Sequence, residues 1–256
     1  MPEENNDILL DIAHEDLPKL AELYKQHKDV LPYAYSMITT AIEWKKKRTE
    51  DYITLTSPNG CWRENGTIVA LVKTGSSSEV YIFSLAKSNK NLYDALIHSK
   101  RINYAKLFLF ACIHENLHPT VKKVLEEKNV QGDDIENFMF AINTKDALKF
   151  VPDCPPEVYI GKLNKNHVLD VNSRWPHRYR NSDKFISFLI EMNDAYGVFL
   201  KSNDELVAWI LLSVMGQMAI LQTKEGYERK GYASLVVKYM SKELAKKVKL
   251  PLPLFW

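Results

Sequence analysis

The sequence lacks the features that mark disulfide-rich, zinc-binding and membrane proteins. Its three cysteines, Cys61, Cys112 and Cys154, are widely spaced and odd in number, so the pattern predicts neither a disulfide framework nor a zinc or redox motif. No segment approaches the roughly 18 consecutive apolar residues of a membrane-spanning helix. The acidic N-terminal residues do not resemble a secretory signal or a transit peptide. We therefore expect a cytoplasmic protein with reduced thiols, no bound metal and no membrane partner.

An excess of charge of one sign is also missing. The 34 basic and 32 acidic side chains give a formal net charge of +2, which provides no general field for attracting nucleic acid. Hydrophobic residues make up 46% of the 256-residue chain, and this fraction is ordinary for a globular protein with a substantial core. We expect one or two globular domains and no nucleic-acid partner.

Apolar spacing in the first half of the chain indicates helices that alternate with strands. Leu17, Leu20 and Tyr24 fall on one face of a helix that begins near Pro18, because residues three and four apart are neighbours on a helix. A second helix follows over residues 33–47. Strands are then predicted at 52–55, 67–72, 80–83, 107–113 and 138–142, and helices at 91–98 and 120–128. This alternation indicates an α/β protein.

Three prolines, Pro152, Pro155 and Pro156, mark the best candidate for a domain boundary, because they stiffen a short segment. We expect an N-terminal lobe over residues 1–150 and a C-terminal lobe over 151–256. The predicted elements of the C-terminal lobe are a strand at 158–163, a helix at 182–192 capped by Ser182, strands at 197–201, 206–214 and 218–223, and a helix from Gly231 onward.

The segment 218–234 is the most informative part of the chain. A strand ends at Thr223, a polar loop turns, and a helix begins at Gly231. The first N–H groups of a helix have no partner inside it, and the helix dipole adds positive potential there. This junction can therefore bind a phosphate group. Arg229 and Lys230 add positive charge, although a basic turn before a surface helix has the same composition.

A zincin-like H-E-x-x-H pattern is formed by His114, Glu115 and His118. The preceding apolar run, residues 107–113, is typical of a buried strand, and Pro119 disfavours a helix at this point. We interpret the segment as a loop with two surface histidines, and a zinc hydrolase is kept as the alternative.

Two stretches resemble a known family. The run E-R-K-G-Y-A at 228–233 resembles the [Q/R]-x-x-G-x-[G/A] signature of the GCN5-related N-acetyltransferases. Over residues 165–247 the sequence resembles the C-terminal domain of glycine N-acyltransferase-like proteins, and residues 171–178 resemble the insect members in particular. The residues that carry this resemblance are Arg174, Trp175, Leu206, Val207, Ala208, Trp209, Gly216, Gln217, Met218 and Thr223.

The resemblance implies a fold, a cofactor and a set of contacts. The implied fold is the α/β N-acyltransferase fold, with a mixed central sheet, flanking helices and two lobes, of which the N-terminal lobe is degenerate. Acyl-coenzyme A would be the co-substrate, and glycine or another small-molecule amine the acceptor. The implied contacts are Leu221, Gln222 and Thr223 for pantetheine, and Arg229, Lys230, Gly231, Tyr232, Ala233 and Ser234 for pyrophosphate.

Three departures from the family pattern bear on activity. Glu228 stands where the signature has Gln or Arg, and Gln217 stands where related glycine acyltransferases have their candidate general base, a glutamate. The final residues, 250–256, contain two prolines and do not match the family's second splayed strand, which indicates a truncated C-terminal lobe. Gln217 is expected near the reacting centre, and a catalytically silent acyl-coenzyme A-binding or protein-interaction scaffold is the alternative function.

Overall fold

The computed structural model describes residues 7–48, 52–74, 77–105, 108–136, 140–247 and 254–255. The chain divides into two compact units, residues 1–137 and 138–256. Both units consist of sheets with flanking helices, as the alternation of helical and strand patterns predicts. None of the described helices is long and apolar enough to span a membrane.

The first unit is built on a sheet with strand order β1-β2-β3-β4-β5. Its strands are β1 (Leu9–Asp11), β2 (Ile53–Pro58), β3 (Ile68–Thr74), β4 (Ser77–Phe83) and β5 (Phe108–Phe110). Neighbouring strands are antiparallel except for β4 and β5, which are parallel, so the sheet is mixed. The helices are α1 (Leu17–Gln26), α2 (Pro32–Lys47), α3 (Trp62–Asn65), α4 (Lys90–His98) and α5 (His118–Glu127).

The helices of this unit follow from their amphipathic sequences. Pro18 lies in the first turn of α1, where its missing N–H would have no intrahelical acceptor in any case. Leu17, Leu20 and Tyr24 are buried, which confirms the predicted apolar face. A core then forms between the sheet and the helices α4 and α5, from residues that include Val69, Val80, Ile82, Leu92, Leu96, Val121 and Val124.

The prediction of a buried strand over 107–113 is only partly right. The strand β5 spans three residues and lies at the edge of the described sheet, and Leu109 is 55% exposed. An edge strand has a neighbour on one side only, so its side chains are covered less well. After it, His114 precedes α5 and His118 is the first residue of that helix, with Pro119 tolerated in the first turn.

The second unit has an antiparallel sheet of order β10-β9-β8-β7 and a separate pair, β11-β6. The strands are β6 (Ala141–Ile142), β7 (Val158–Lys162), β8 (Ala195–Leu200), β9 (Leu206–Leu212), β10 (Met218–Thr223) and β11 (Leu254–Phe255). The helices are α6 (Thr144–Leu148), α7 (Val168–Arg174), α8 (Ser182–Met192) and α9 (Tyr232–Lys247). The proline-rich segment at 152–156 lies inside this unit.

The two faces of this sheet have different coverings. One face packs against α9 in a buried cluster that includes Tyr196, Val198, Ala208, Ile210, Met218, Val236 and Met240. Side chains alternate along a strand, so Trp209 and Leu211 point to the opposite face of β9. The helix α8 contacts β9. Its apolar side chains Phe185, Ile186 and Leu189 are buried.

The predicted bounds of α8, Ser182 to Met192, are confirmed, but the predicted cap is wrong. The residue before the helix is Asn181, which adopts a left-handed φ of 64°. Ser182 is the first helical residue, and its hydroxyl donates to Asn172 Oδ1 at 2.6 Å and accepts from the N–H of Tyr179 at 3.2 Å. The hydroxyl thus connects α8 to α7 and to the loop between the two helices, and it does not cap α8.

Candidate functional site

The strand β10 contains an irregularity in its pairing with β9. Met218 and Ala219 pair with Leu212 and Leu211, but Gln222 then pairs with Trp209, so one extra residue lies between them. Ile220, within this β-bulge, has a φ of 53°. Bulges bend a strand and re-aim its peptide and side-chain groups.

The bulge lies on a free side of the sheet. Among the described strands, β10 is the last one of its sheet, so peptide groups on its outer side have no strand neighbour. Leu221 is 44% exposed there, and Gln222 and Thr223 are partly exposed. These three residues, predicted as pantetheine contacts, therefore lie on an accessible edge that can bond a ligand carrying amide groups.

A structured loop connects β10 to α9. Lys224 N–H donates to the carbonyl of Val207 at 2.8 Å, and Tyr227 N–H donates to the carbonyl of Lys224 at 3.0 Å. Gly226, at the third position of this turn, has a φ of 85°, which a type II turn requires. Further along, Arg229 and Gly231 have φ values of 61° and 82°. Alternation of φ sign along such a segment turns successive N–H groups towards one side and forms an anion-binding concavity.

The loop ends at the open N-terminus of α9. The first helical bond runs from Leu235 N–H to the carbonyl of Gly231 at 2.9 Å. The N–H groups of Tyr232, Ala233 and Ser234 have no acceptor within the described part of the chain. A Cβ built on Gly231 would meet no atom within 4 Å, so no other residue packs against this glycine at that position. Together with the helix dipole, the N–H groups form a site for an anion.

Several side chains fix the loop in place. Glu205 forms an ion pair with Lys224 and accepts a hydrogen bond from Tyr227 Oη at 3.0 Å. The hydrogen bonds from Lys224 and Tyr227 lower the pKa of the Glu205 carboxyl below its ordinary value. The ammonium of Lys230 lies 5.1 Å from the centre of the Tyr227 ring, a cation–π distance. Arg229 is exposed and forms no ion pair with the described residues.

Gln217 lies at the other end of β10, in the connection from β9. Its carbonyl accepts a bond from Ser213 N–H at 2.9 Å, and its side-chain Oε1 is buried without a donor among the described residues. A buried polar atom without a partner costs about 1–3 kcal/mol, so this oxygen is suited to accept a bond from a ligand N–H or from water.

Trp209 is a second buried side chain with a polar atom to satisfy. It is fully buried on β9, and its indole Nε1 has no acceptor among the described residues. Alternation along β9 directs it to the face of the sheet opposite α9. This feature could not be predicted, because nothing in an apolar strand sequence reveals whether a buried indole N–H finds an acceptor.

The predicted site residues thus follow one line along the second unit. Gln217 directly precedes β10, Leu221 to Thr223 end that strand, and the bulge lies between them. The loop then leads directly to the N–H groups at 229–234. The structure brings the predicted pantetheine and pyrophosphate residues next to one another; their roles stay predictions.

The two histidines of the H-E-x-x-H pattern engage separate partners. His114 Nδ1 lies 2.8 Å from Asn116 Oδ1, and His118 Nε2 lies 2.7 Å from Asp134 Oδ2. Within the described residues, no group of three or more His, Cys, Asp or Glu side chains is arranged to hold a metal ion. The alternative of a zinc hydrolase receives no support from this geometry.

Comparisons with known proteins match both units. Residues 8–124 match the family described as "Domain of unknown function (DUF5645)", and residues 195–254 match the family described as "FR47-like protein". No curated protein matches the sequence.

Solved structures resemble the chain more fully. The X-ray structure of a Drosophila melanogaster protein aligns with a TM-score of 0.85 and 22% identity, over 98% of this chain and 89% of that chain. A GCN5-related N-acetyltransferase from Kribbella flavida aligns with a TM-score of 0.50 and 14% identity, over 75% of this chain and 76% of that chain. The predicted fold class is confirmed: the chain is similar in fold to the GCN5-related N-acetyltransferases, and it carries an FR47-like region that begins with β8 and contains β9, β10 and α9.

Proposed function

We propose that the second unit binds acyl-coenzyme A and transfers its acyl group to the amino group of glycine or another small amine. The observation that carries this proposal is the bulged edge strand β10, followed directly by a loop and helix end with unused N–H groups. A cofactor with two amides and a pyrophosphate matches this sequence of donors. The resemblance of residues 171–178 to insect glycine N-acyltransferase-like proteins supports the choice of acceptor.

The proposed cofactor site has two parts. The peptide groups of Leu221, Gln222 and Thr223 hold the pantetheine arm, because they lie on the free edge of the sheet. The N–H groups from Arg229 through Ser234 hold the pyrophosphate, with added charge from Arg229 and Lys230.

The proposed reaction is direct attack of the amine on the thioester carbonyl. A bond forms between the amine nitrogen and the acyl carbon, the carbon–sulfur bond breaks, and coenzyme A leaves as a thiolate that takes up a proton from solvent to become the thiol. Gln217 Oε1 accepts a hydrogen bond from the amine and orients it. A glutamine does not take up a proton at neutral pH, so the proton of the attacking amine passes to solvent. Positioning, which is worth several kcal/mol in such reactions, is then the main contribution of the protein.

A second function is favoured by the same residue. With Gln217 in place of the family's glutamate, the second unit is also suited to bind acyl-coenzyme A without turning it over. The two functions share the cofactor site and differ in the rate of thiol release.

Calorimetric titration with acetyl- and benzoyl-coenzyme A tests the shared site. We expect micromolar binding by the native protein and at least a tenfold loss in Gly231→Ala, because an L-residue disfavours the φ of 82° on which the loop conformation depends. Gly60→Ala is the matched control, since Gly60 also has a positive φ and no atom within 4 Å of an added Cβ.

Three outcomes decide between the proposals. Equal binding by both variants, or no binding by folded native protein, would refute the cofactor site. If binding is present, release of free thiol with glycine as acceptor supports the transferase. Binding without thiol release over hours, with any of a panel of small amines, supports the silent binder.

A further inference from the structure

The proposed anion site contains a carboxylate, whose negative charge opposes the binding of an anion. The loop from Lys224 to Gly231 carries three cations and two anions, Glu225 and Glu228. Lys224 is already paired with Glu205, so the loop has little net charge to offer a pyrophosphate. Electrostatics alone would make Glu228 unfavourable at this position, where the family signature has Gln or Arg.

The structure shows that the side chain of Glu228 is used inside the loop. Its Oε2 accepts a hydrogen bond from the N–H of Gly226 at 2.8 Å. This bond closes a small ring over the turn at 224–227 and engages the N–H of a residue with a φ of 85°. Glu225, one residue before that glycine, is exposed and makes no hydrogen bond with its side chain among the described residues.

We propose that Glu228 is a positioning residue for the anion site. By holding Gly226, its carboxylate fixes the turn from which the backbone continues into Arg229 and Gly231, whose positive φ values direct the following N–H groups towards the anion. This inference rests on the proposed function, because it assumes that coenzyme A binds at this loop.

Two opposing effects of Glu228 on anion binding can be separated. Its charge repels the pyrophosphate, and a single exposed charge changes affinity by about two- to fivefold. Its hydrogen bond orders the loop before the ligand arrives, and loss of order in two or three residues weakens binding by at least about fivefold. If Glu228 acts by positioning, the second effect dominates.

Three variants of the full chain make the test, with coenzyme A as the calorimetric probe. Glu225→Gln removes a charge and no hydrogen bond, so we expect binding about two- to fivefold tighter. Glu228→Gln removes the charge but keeps an oxygen for Gly226 N–H, so we expect binding no weaker than native. Glu228→Ala removes both, and we expect binding at least about fivefold weaker than in Glu228→Gln, which has lost the same charge but keeps the acceptor for Gly226 N–H.

A ligand-free measurement accompanies the titrations. In nitrogen-15 NMR spectra, the temperature coefficient of the Gly226 amide proton should be small in the native protein and in Glu228→Gln, and large in Glu228→Ala. Tighter binding by Glu228→Ala, in step with Glu225→Gln, would overturn the positioning role while leaving the cofactor site standing. Absence of coenzyme A binding by the native protein would overturn the proposed function, and the Gly226 amide would still report whether Glu228 holds the turn.

Discussion

The two units of the chain share an order of elements but not the features of the candidate site. The first unit runs β1, α1, α2, β2, β3, β4 and α4, with the short α3 between β2 and β3, and the second runs β7, α7, α8, β8, β9, β10 and α9. In each, a strand and two helices precede three antiparallel strands, and a helix comes next. The strands β4 and β10 are therefore counterparts.

These counterparts differ in register and in the segment that connects each strand to its helix. The pairing of β4 with β3 runs without a break from Phe83 to Ser77, whereas β10 is bulged. The link from β4 to α4, residues 84–89, contains no glycine, whereas the loop after β10 has Gly226 and Gly231 at positive φ. The shared order of elements thus does not by itself supply the candidate site, since the proposed contacts include a bulge with one extra residue and two glycines at positive φ. This contrast supports our proposal that the first unit is a degenerate lobe.

Removing the bulge from β10 should have the largest effect on coenzyme A binding. Deletion of Ile220 would let Leu221 pair with Ile210 and leave the pairing of Gln222 with Trp209 unchanged, so β10 would become a regular strand like β4. We expect coenzyme A binding to fall by about a hundredfold or more, because the peptide groups of the bulge would no longer be re-aimed. Calorimetry would measure the loss, and a circular dichroism spectrum would show whether the fold persists. Native-like binding by the folded deletion variant would exclude the bulge from the site.

Local sequence signals account for much of the second unit and for part of the site. The bounds of α8 and of β10 were predictable from apolar spacing, and Gly231 marked the strand-to-helix junction. The bulge was not predictable, because it depends on the register with β9, which is set by packing far along the chain. The bond from Gly226 to Glu228 and the unpaired Trp209 indole were also hidden, since they depend on side-chain directions and on burial of single atoms.

The two units also differ in whether the polar group of a large buried aromatic side chain forms a hydrogen bond. In the first unit, the hydroxyl of Tyr24 donates to the carbonyl of Gly66 at 2.5 Å, whereas in the second unit the indole N–H of Trp209 has no acceptor among the described residues. We expect Tyr24→Phe to lower the free energy of unfolding by about 1–3 kcal/mol, because Gly66 would lose its donor. Trp209→Phe removes an unsatisfied donor but leaves a smaller ring, so its loss should be smaller, within about 2 kcal/mol.

Urea denaturation of the two variants would measure this difference. A larger loss in Trp209→Phe than in Tyr24→Phe would mean that the indole N–H does have a partner, such as a buried water, and that the contrast between the two aromatics is wrong. Loss of coenzyme A binding in a stable Trp209→Phe would instead indicate that the indole donates to the ligand.

The smallest expected effect concerns the pH dependence of two glutamates with opposite pKa shifts. In the first unit, burial raises the pKa of Glu79 above its ordinary value of 4.5, against a lowering by the hydrogen bond from Tyr81. In the second unit, Lys224 and Tyr227 lower the pKa of Glu205. A raised carboxyl pKa means that the folded state binds the proton more tightly, so stability is lost as the pH rises from 4.5 through the folded pKa. A lowered carboxyl pKa has the opposite effect. Its contribution to stability is present above the ordinary pKa of 4.5 and is lost as the pH falls through the folded pKa.

Glutamine substitutions at the two positions should therefore separate with pH. We expect Glu79→Gln to be more stable than the native protein at pH 7, with the gain shrinking at acidic pH, because the native carboxyl becomes neutral there. Glu205→Gln should be less stable at pH 7, and its deficit should also shrink as the pH falls and the native ion pair with Lys224 is lost. Urea midpoints measured at several values between about pH 3 and pH 7 would record both trends. If both variants were more stable than the native protein at pH 7, or both less stable, desolvation and ion pairing would not act on these two carboxyls as their surroundings indicate.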